Sequence, residues 1–309
     1  MRVTVTGATG LVGSALVADL KSRGNDVTVL SRDPERARAK LQVESVRWDS
    51  MSEPAPARAL AGRDAVVHLA GENVAQRWTT AAKRAIRESR VRGTRHLLEG
   101  LRAISPTGEG PPQDARPRIL ISASAIGYYG AHGDEPLDEE APAGTDFLAR
   151  VCAEWEAESR AAGELGVRAV QVRTGVVLDR EGGALAKMLT PFRLGIGGPV
   201  AGGRQYISWI HREDLVGMML AALEDDSWSG PLNATAPEPV TNAEFSHALG
   251  RALHRPSLLP VPGAALRLLY GEMAAIVTTG ARVLPAKALV LGYGFRHPHL
   301  DEALRSALG

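Results

Sequence analysis

The stretch that decides the fold is RVTVTGATGLVGSALVADLKSRGNDVTVLSR, residues 2–32. Val3 and Val5 make a short β-branched run, as a strand requires. Leu11, Ala15, Leu16 and Leu20 then recur at helical spacing, and Gly24 ends the run. DVTVLS, residues 26–31, is a second strand. Between strand and helix lie Gly7, Gly10 and Gly13, the pattern G-x-x-G-x-x-G. The first glycine permits a tight turn, the second lets a pyrophosphate reach the backbone, and the third lets helix and strand pack closely. The helix N-terminus adds N–H donors and partial positive charge. A lone glycine pattern is weak, but one that follows a strand and opens a helix predicts dinucleotide binding.

The rhythm continues outward. ESVRW (44–48) and DAVVHLA (64–70) read as the third and fourth strands. A long helical segment runs from about Thr79 to Ile104, and SPTGEGPPQDARP (105–117) is a surface loop by composition. RILISAS (118–124) is the fifth strand, Phe147 to Leu165 a helix, and RAVQVRTGVVL (168–178) the sixth strand and its exit. Strands alternating with helices imply an α/β fold, a doubly wound parallel sheet of Rossmann-like type, with ligands at the C-terminal strand ends. After Gly182 the rhythm breaks. A glycine-rich segment at about 180–210 reads as an irregular substrate-side flap, because long irregular loops are often functional. HREDLVGMMLAALED (211–225) is a helix. We place a dinucleotide-binding domain at 1–235 and a small, mostly helical C-terminal domain on the substrate side at 236–309, with RPSLLPVP (255–262) as an extended link.

The bulk composition narrows the classes. The 309 residues are 44% hydrophobic and 23% charged, with net charge +1, so nothing points to nucleic acid or to an anionic membrane surface. No apolar run reaches membrane-spanning length. No signal-peptide pattern precedes the first strand, so a cytoplasmic protein is expected. Cys152 is the one cysteine, which excludes an internal disulfide framework and a multi-cysteine metal site. Its helix position predicts a buried, inert thiol. Oligomeric state is not readable.

The tip of the second strand selects the dinucleotide. NAD binders place an acidic residue there for the ribose hydroxyls. This chain has Ser31 and Arg32, with Asp33 one step later. Arg32 can stack on adenine and pair with a 2′-phosphate, and Ser31 can donate to the same group. NADP is therefore expected, with Asp33 swinging in as the alternative.

TGATGLVG (6–13), VVHLAGENV (66–74), SRVRGTRHLLEG (89–100) and SASAIGYYG (122–130) together resemble the extended short-chain dehydrogenase/reductase family, of the nucleotide-sugar epimerase/dehydratase type. RTGVVL (173–178), the segment 182–215 and TNAEFSHALGRALHRP (241–256) are similar to an atypical branch of it, epimerase-like and NADP-binding, with a short C-terminal domain of unassigned role. The resemblance covers nearly the whole chain. It implies cofactor contacts at Gly7, Thr9, Gly10, Leu11, Val12 and Gly13, with Ser31 and Arg32 facing the adenosine phosphate. Leu69, Ala70, Gly71 and Glu72 would line the central crevice. Arg90 stands where the wider family usually has asparagine, and the branch places that charge near the cofactor.

The family's reductase chemistry uses Tyr-x-x-x-Lys on one helix face, where residues four apart lie one above the other. The lysine lowers the phenol's pKa from about 10. Tyr128, Tyr129, Tyr206, Tyr270 and Tyr293 are followed four residues later by His132, Gly133, Ile210, Ala274 and His297. None is lysine. The helix expected to carry the pair reads DFLARVCAEWE (146–156), with Phe147, Arg150, Cys152 and Glu156 but neither tyrosine nor lysine. Tyr128 and Ser124 are then the candidate catalytic groups, Tyr128 as proton donor or orienting hydroxyl and Ser124 as carbonyl polariser. The alternative for Tyr128 is a ring packed under the cofactor. Lys187 and His211 can approach from the substrate side. His297 and His299 read as solvated loop, since no further ligands can be placed to make a metal site. Asp214 reads as part of a helix start. Two functions follow: an oxidoreductase or epimerase-like enzyme acting on a small carbonyl or sugar-like substrate, or a non-catalytic NADP-binding redox sensor or scaffold.

Overall fold

The β-branched runs read as the first, second and fourth strands are buried at their centres, the third only in part, and all assemble in the expected parallel sense. The computed structural model describes residues 1–104 and 116–309. Most of the loop expected at 105–117 lies outside the described residues.

The N-terminal half runs β1 (Arg2–Thr6), α1 (Leu11–Ser22), β2 (Asp26–Ser31), α2 (Pro34–Leu41), β3 (Glu44–Arg47), β4 (Ala65–His68), α3 (Thr80–Arg102), β5 (Ile119–Ala125), β6 (Pro136–Leu137) and α4 (Phe147–Arg160). There follow β7 (Arg168–Thr174), β8 (Val176–Leu178), α5 (Gly183–Arg193), β9 (Tyr206–Ile207), β10 (Trp209–His211), α6 (Arg212–Glu224) and β11 (Gly230–Ala234). The chain ends with β12 (Val240–Thr241), α7 (Asn242–Leu253), α8 (Gly263–Tyr270), α9 (Ala275–Thr278), β13 (Arg282–Val283), α10 (Ala286–Val290) and α11 (Leu300–Leu308).

The main sheet has seven parallel strands in the order β11-β7-β5-β4-β1-β2-β3. The order reverses between β1 and β4, which is where such sheets open a ligand crevice. Alternation sets the two faces. Val5, Val67, Ile121 and Val172 pack with Leu16, Leu215 and Met219 of α1 and α6. Leu30, Val66 and Leu120 pack with Leu97 and Leu101 of α3. Toward the C-terminal strand ends this second face turns polar, with Thr6, His68, Ser122, Ser124, Gln171, Arg173 and Asn233 all buried.

Two expectations are corrected. The seventh strand, β11, was not expected: it reads GPLNA, and glycine, proline and asparagine are poor strand formers. Its edge position tolerates Pro231. The 180–210 segment is not irregular throughout. Gly183–Arg193 is helical despite Pro191, and β9 and β10 pair with β12 and β8, leaving 194–205 as the irregular part.

Candidate active site

The crevice is built from backbone. Gly7 has φ of +66°, and a Cβ on it would fall 2.6 Å from the Leu69 carbonyl, so only glycine lets the exits of β1 and β4 run this close. A Cβ on Gly13 would fall 2.5 Å from the Gly7 carbonyl oxygen, which is why α1 can press onto the turn. Gly10 caps α1 without a side-chain hydrogen bond, and a Cβ there would meet only Gly7 O, at 3.3 Å. Its other side is open to the crevice. The N–H groups of Leu11, Val12 and Gly13 have no intrahelical acceptor. A cavity of about 460 Å³ lies before them, bounded by Thr6–Gly10, Ser31–Asp33, Trp48–Met51 and Leu69–Glu72.

At the tip of β2 the Ser31 hydroxyl donates to Asp33 O at 3.0 Å. The Asp33 carboxylate accepts the Arg36 N–H at 3.0 Å and caps α2, which draws it to the helix. Arg32 lines the cavity with Arg36 and Lys40. The last two were missed in the sequence, although residues 36 and 40 repeat at one-turn spacing on α2 and so share a face. Lys40 also reaches the glycine turn, donating to Thr9 O at 2.9 Å.

The loop after β4 is held from beneath. Thr6 Oγ1 bonds His68 Nδ1 at 2.7 Å and accepts the Ala70 N–H at 3.3 Å. Complete burial pushes His68 down to about 4, so it sits there as the neutral ring. The Glu72 N–H donates to Ser89 Oγ at 2.9 Å, and Arg90 donates to Glu72 O at 3.0 Å. The Arg90 guanidinium lies 5.1 Å from the Trp155 ring, and a Cβ on Gly71 would come within 3.3 Å of it. Arg90 thus braces the floor of the crevice through backbone contacts.

Of the catalytic candidates, Ser124 is the penultimate residue of β5, and Tyr128 follows on a short 3₁₀ turn, Ile126–Tyr129. Tyr129 is fully buried. Its hydroxyl accepts from Arg173 at 2.8 Å and lies 2.6 Å from Asn233 Oδ1, and burial pushes the phenol up to about 12. That makes Tyr129 structural. Tyr128 is half-buried, and the Arg173 guanidinium lies 3.5 Å from its ring centroid. Arg173 in turn makes a two-pronged pair with buried Glu156, both bonds 2.9 Å. Desolvation opposes the guanidinium's charge, but Glu156 outweighs it and holds Arg173 above its ordinary value. The Ser124 hydroxyl donates to Glu156 at 2.7 Å. A hydroxyl has one proton to give, so in this arrangement it is spent on Glu156.

The missing pair is accounted for on α4. Leu148 faces Gly127 in the Tyr128 turn. One and two turns on come Cys152 and Glu156. Burial pushes the Cys152 thiol up to about 12, so it is inert at neutral pH, as expected. Leucine and cysteine therefore occupy the face where tyrosine and lysine were sought. Sequence reasoning singled out neither Arg173 nor the polar face beneath it. An arginine and a glutamate 17 residues apart give no spacing signal.

The substrate-side candidates diverge. Lys187 reaches across to Ala75 O at 3.2 Å, and Lys83 pairs with Glu272 nearby. His211 is 5% exposed and caps α6, apart from the crevice residues. His297 is not the solvated residue expected: its ring stacks on His211, and its Nε2 lies 3.2 Å from Glu213. The donor atoms of these three lie close together, but a neutral His211 that accepts the Glu213 N–H on Nδ1 has no second lone pair for an ion. His299 is exposed. Asp214 is fully buried at the head of α6, as a helix-start residue should be.

A seven-stranded parallel sheet, a glycine turn at its switch point and polar groups at the strand ends define a dinucleotide-binding protein of the short-chain dehydrogenase/reductase type. The chain belongs to the NAD-dependent epimerase/dehydratase family, which it matches over residues 3–233; residues 261–307 match a domain of unknown function, DUF1731. It is 40% identical over 309 residues to the epimerase family protein SDR39U1 homolog, chloroplastic, of Arabidopsis thaliana, covering 100% of this chain and 87% of that one. It is also 40% identical to epimerase family protein SDR39U1 of Mus musculus, covering 100% of both. Human epimerase family protein SDR39U1 (isoform 2), solved with NADPH, superposes with a TM-score of 0.86 at 36% identity, again over 100% of both chains. Among the described residues no helix is long and apolar enough to cross a membrane.

Proposed function

We propose that the protein is an NADP(H)-dependent oxidoreductase or epimerase-like enzyme acting on a small carbonyl or sugar-like substrate. The observation that carries the cofactor choice is the cation face Arg32, Arg36 and Lys40 at the tip of β2, with Asp33 withdrawn as a helix cap. The human relative solved with NADPH supports the same choice. A nucleotide held there would supply or accept a hydride. Leu11, Val12 and Gly13 offer N–H groups to its phosphates, and Leu69 to Glu72 wall the crevice.

Tyr128 is the hydroxyl we assign to the reacting end. It is the half-buried member of the tyrosine pair, and Arg173 fixes its ring from one face. Ser124, near the end of β5, anchors Glu156, and through Glu156 it holds Arg173 in place. We assign Ser124 to positioning Tyr128 and to polarising a carbonyl once its bond to Glu156 exchanges. The proton donated by Tyr128 is replaced from solvent, because no lysine stands four residues on.

The test is single-turnover oxidation of bound NADPH against a panel of small aldehydes, ketones and keto-sugars. Tyr128→Phe is expected to lower the rate at least about 100-fold, the usual range for a general acid, with NADPH affinity unchanged. An established activity that survives Tyr128→Phe would remove the assignment. A panel with no turnover in the wild type would favour the binding-only reading.

A further inference from the structure

His211 closes β10 and caps α6, its Nδ1 accepting the Glu213 N–H at 3.2 Å. Its ring centroid lies 3.8 Å from that of His297, which arrives from the far end of the chain. The His297 Nε2 is 3.2 Å from the Glu213 carboxylate. Buried Asp214 accepts the backbone N–H groups of Arg296 and His297 at 2.8 and 2.9 Å, and its carbonyl accepts the Tyr293 hydroxyl at 3.1 Å. Gly217, one turn along, leaves room for that hydroxyl, since a Cβ there would collide with it. The head of α6 thus fastens the segment 293–297.

We propose that the stacked His211–His297 pair is a proton-sensitive latch, and that a proton on His211 releases the 293–299 segment from α6. The cap depends on the Nδ1 lone pair. A proton there removes the acceptor and adds positive charge at a helix end where the backbone amides are already positive. The charges facing His211 are mixed. His297 and neighbouring Arg212 oppose its protonation, while Glu213 and Asp214 favour it. The favourable pair is committed elsewhere. Asp214 spends both oxygens on backbone N–H groups, and Glu213 is shared with His297 and with Arg296 at 3.8 Å. Asp179, from the exit of β8, is tied to Arg212.

Burial, with His297 second, holds His211 below its ordinary value, so it is neutral at pH 7. A base depressed in the fold stabilises it fully above the unfolded value, near 6.5, and that stability is lost as pH falls toward the folded value. The lowered Glu213 carboxylate loses its share only at lower pH.

The donor atoms of the same three side chains lie within 4.8 Å of one another, the spacing at which a metal site is weighed. The geometry favours the proton. A neutral His211 that accepts on Nδ1 carries its hydrogen on Nε2 and has no second lone pair to give. Two imidazoles on one tetrahedral ion, at about 2.0–2.1 Å per metal–nitrogen bond, also need their rings further apart than this stack holds them.

The experiment is hydrogen exchange of residues 293–309, corrected for intrinsic rate, from about pH 7.5 to 5 on the full chain, with EDTA or with added zinc. Wild type should lose about fivefold protection or more, the range for a lost helix cap. His211→Asn keeps a good cap that does not titrate, and should hold its protection across the range. His297→Gln should move the loss to higher pH by removing the opposing ring. Equal loss in His211→Asn, an unmoved midpoint in His297→Gln, or a flat wild-type profile would overturn the latch. Zinc protection that requires His297 would also overturn it, in favour of a metal centre.

Discussion

Arg173 and Glu156 are the residues on which the reacting end rests. Both are buried, and each satisfies the other while Ser124, Tyr129 and the Glu139 carbonyl take what remains. A pair of this kind is weak evidence of net stability, yet removing one partner strands a charge and costs about 3–5 kcal/mol. Glu156→Gln should therefore lower unfolding free energy by about that amount in chemical denaturation, with the slope unchanged. A loss under about 1 kcal/mol would mean that the pair is solvated after all. The exposed cations Arg32, just past β2, and Lys40, on α2, answer to a different measurement. Arg32→Ala and Lys40→Ala should each weaken NADPH by about 10- to 100-fold, the range for a charged hydrogen bond, and leave NADH nearly unaffected. Equal losses for both nucleotides would remove the 2′-phosphate assignment.

At the scale of elements, the glycine turn was legible because each glycine has a steric task that no other residue performs. A Cβ on Gly13 would meet Gly7 O and Ala8 Cα at 2.5 and 2.7 Å, both backbone atoms that cannot yield. Gly13→Ala should abolish nucleotide binding in a fluorescence titration and lower the melting temperature, and a variant that binds normally would contradict this account of the turn. Helices α1, α3 and α4 were readable from periodicity and caps; Thr79 and Asp146 each accept a backbone N–H at their helix start. Other features were hidden for physical reasons. β11 breaks strand propensity at three of its five positions and is specified by pairing with β7. The Arg173–Glu156 pair and the His211–His297 stack join residues far apart in sequence, so no local spacing announces them. The cations at 36 and 40 belong to no motif, and only the cavity beside them distinguishes their helix face from a solvated one.

Across the whole molecule, the C-terminal segment is wired into the sheet. Asn233 of β11 donates to Leu284 O at 2.9 Å, and Glu139 accepts N–H groups from Asn233 and Lys287 at 3.0 and 3.2 Å. Ser208 donates to Ala281 O and accepts the Val283 N–H, both in the buried interior. Tyr129 packs against Ala281 and Val283. Deleting residues 261–309 would strand these polar groups and uncover that contact. The shortened chain should fail to unfold as one cooperative transition in calorimetry, and a sharp transition at the full-length temperature would show that the two parts are independent. The latch at α6 is a second tie between the same two parts, and it should weaken below about pH 6.5 while the first persists.

The central claim is that the switch-point crevice binds NADP(H) through the glycine turn and the cations Arg32, Arg36 and Lys40. Calorimetric titration with NADPH, NADP⁺, NADH and NAD⁺ tests it most directly. The account predicts saturable one-to-one binding of NADPH and NADP⁺, with NADH and NAD⁺ at least about tenfold weaker. Equal affinity for all four, or binding of none, would contradict it.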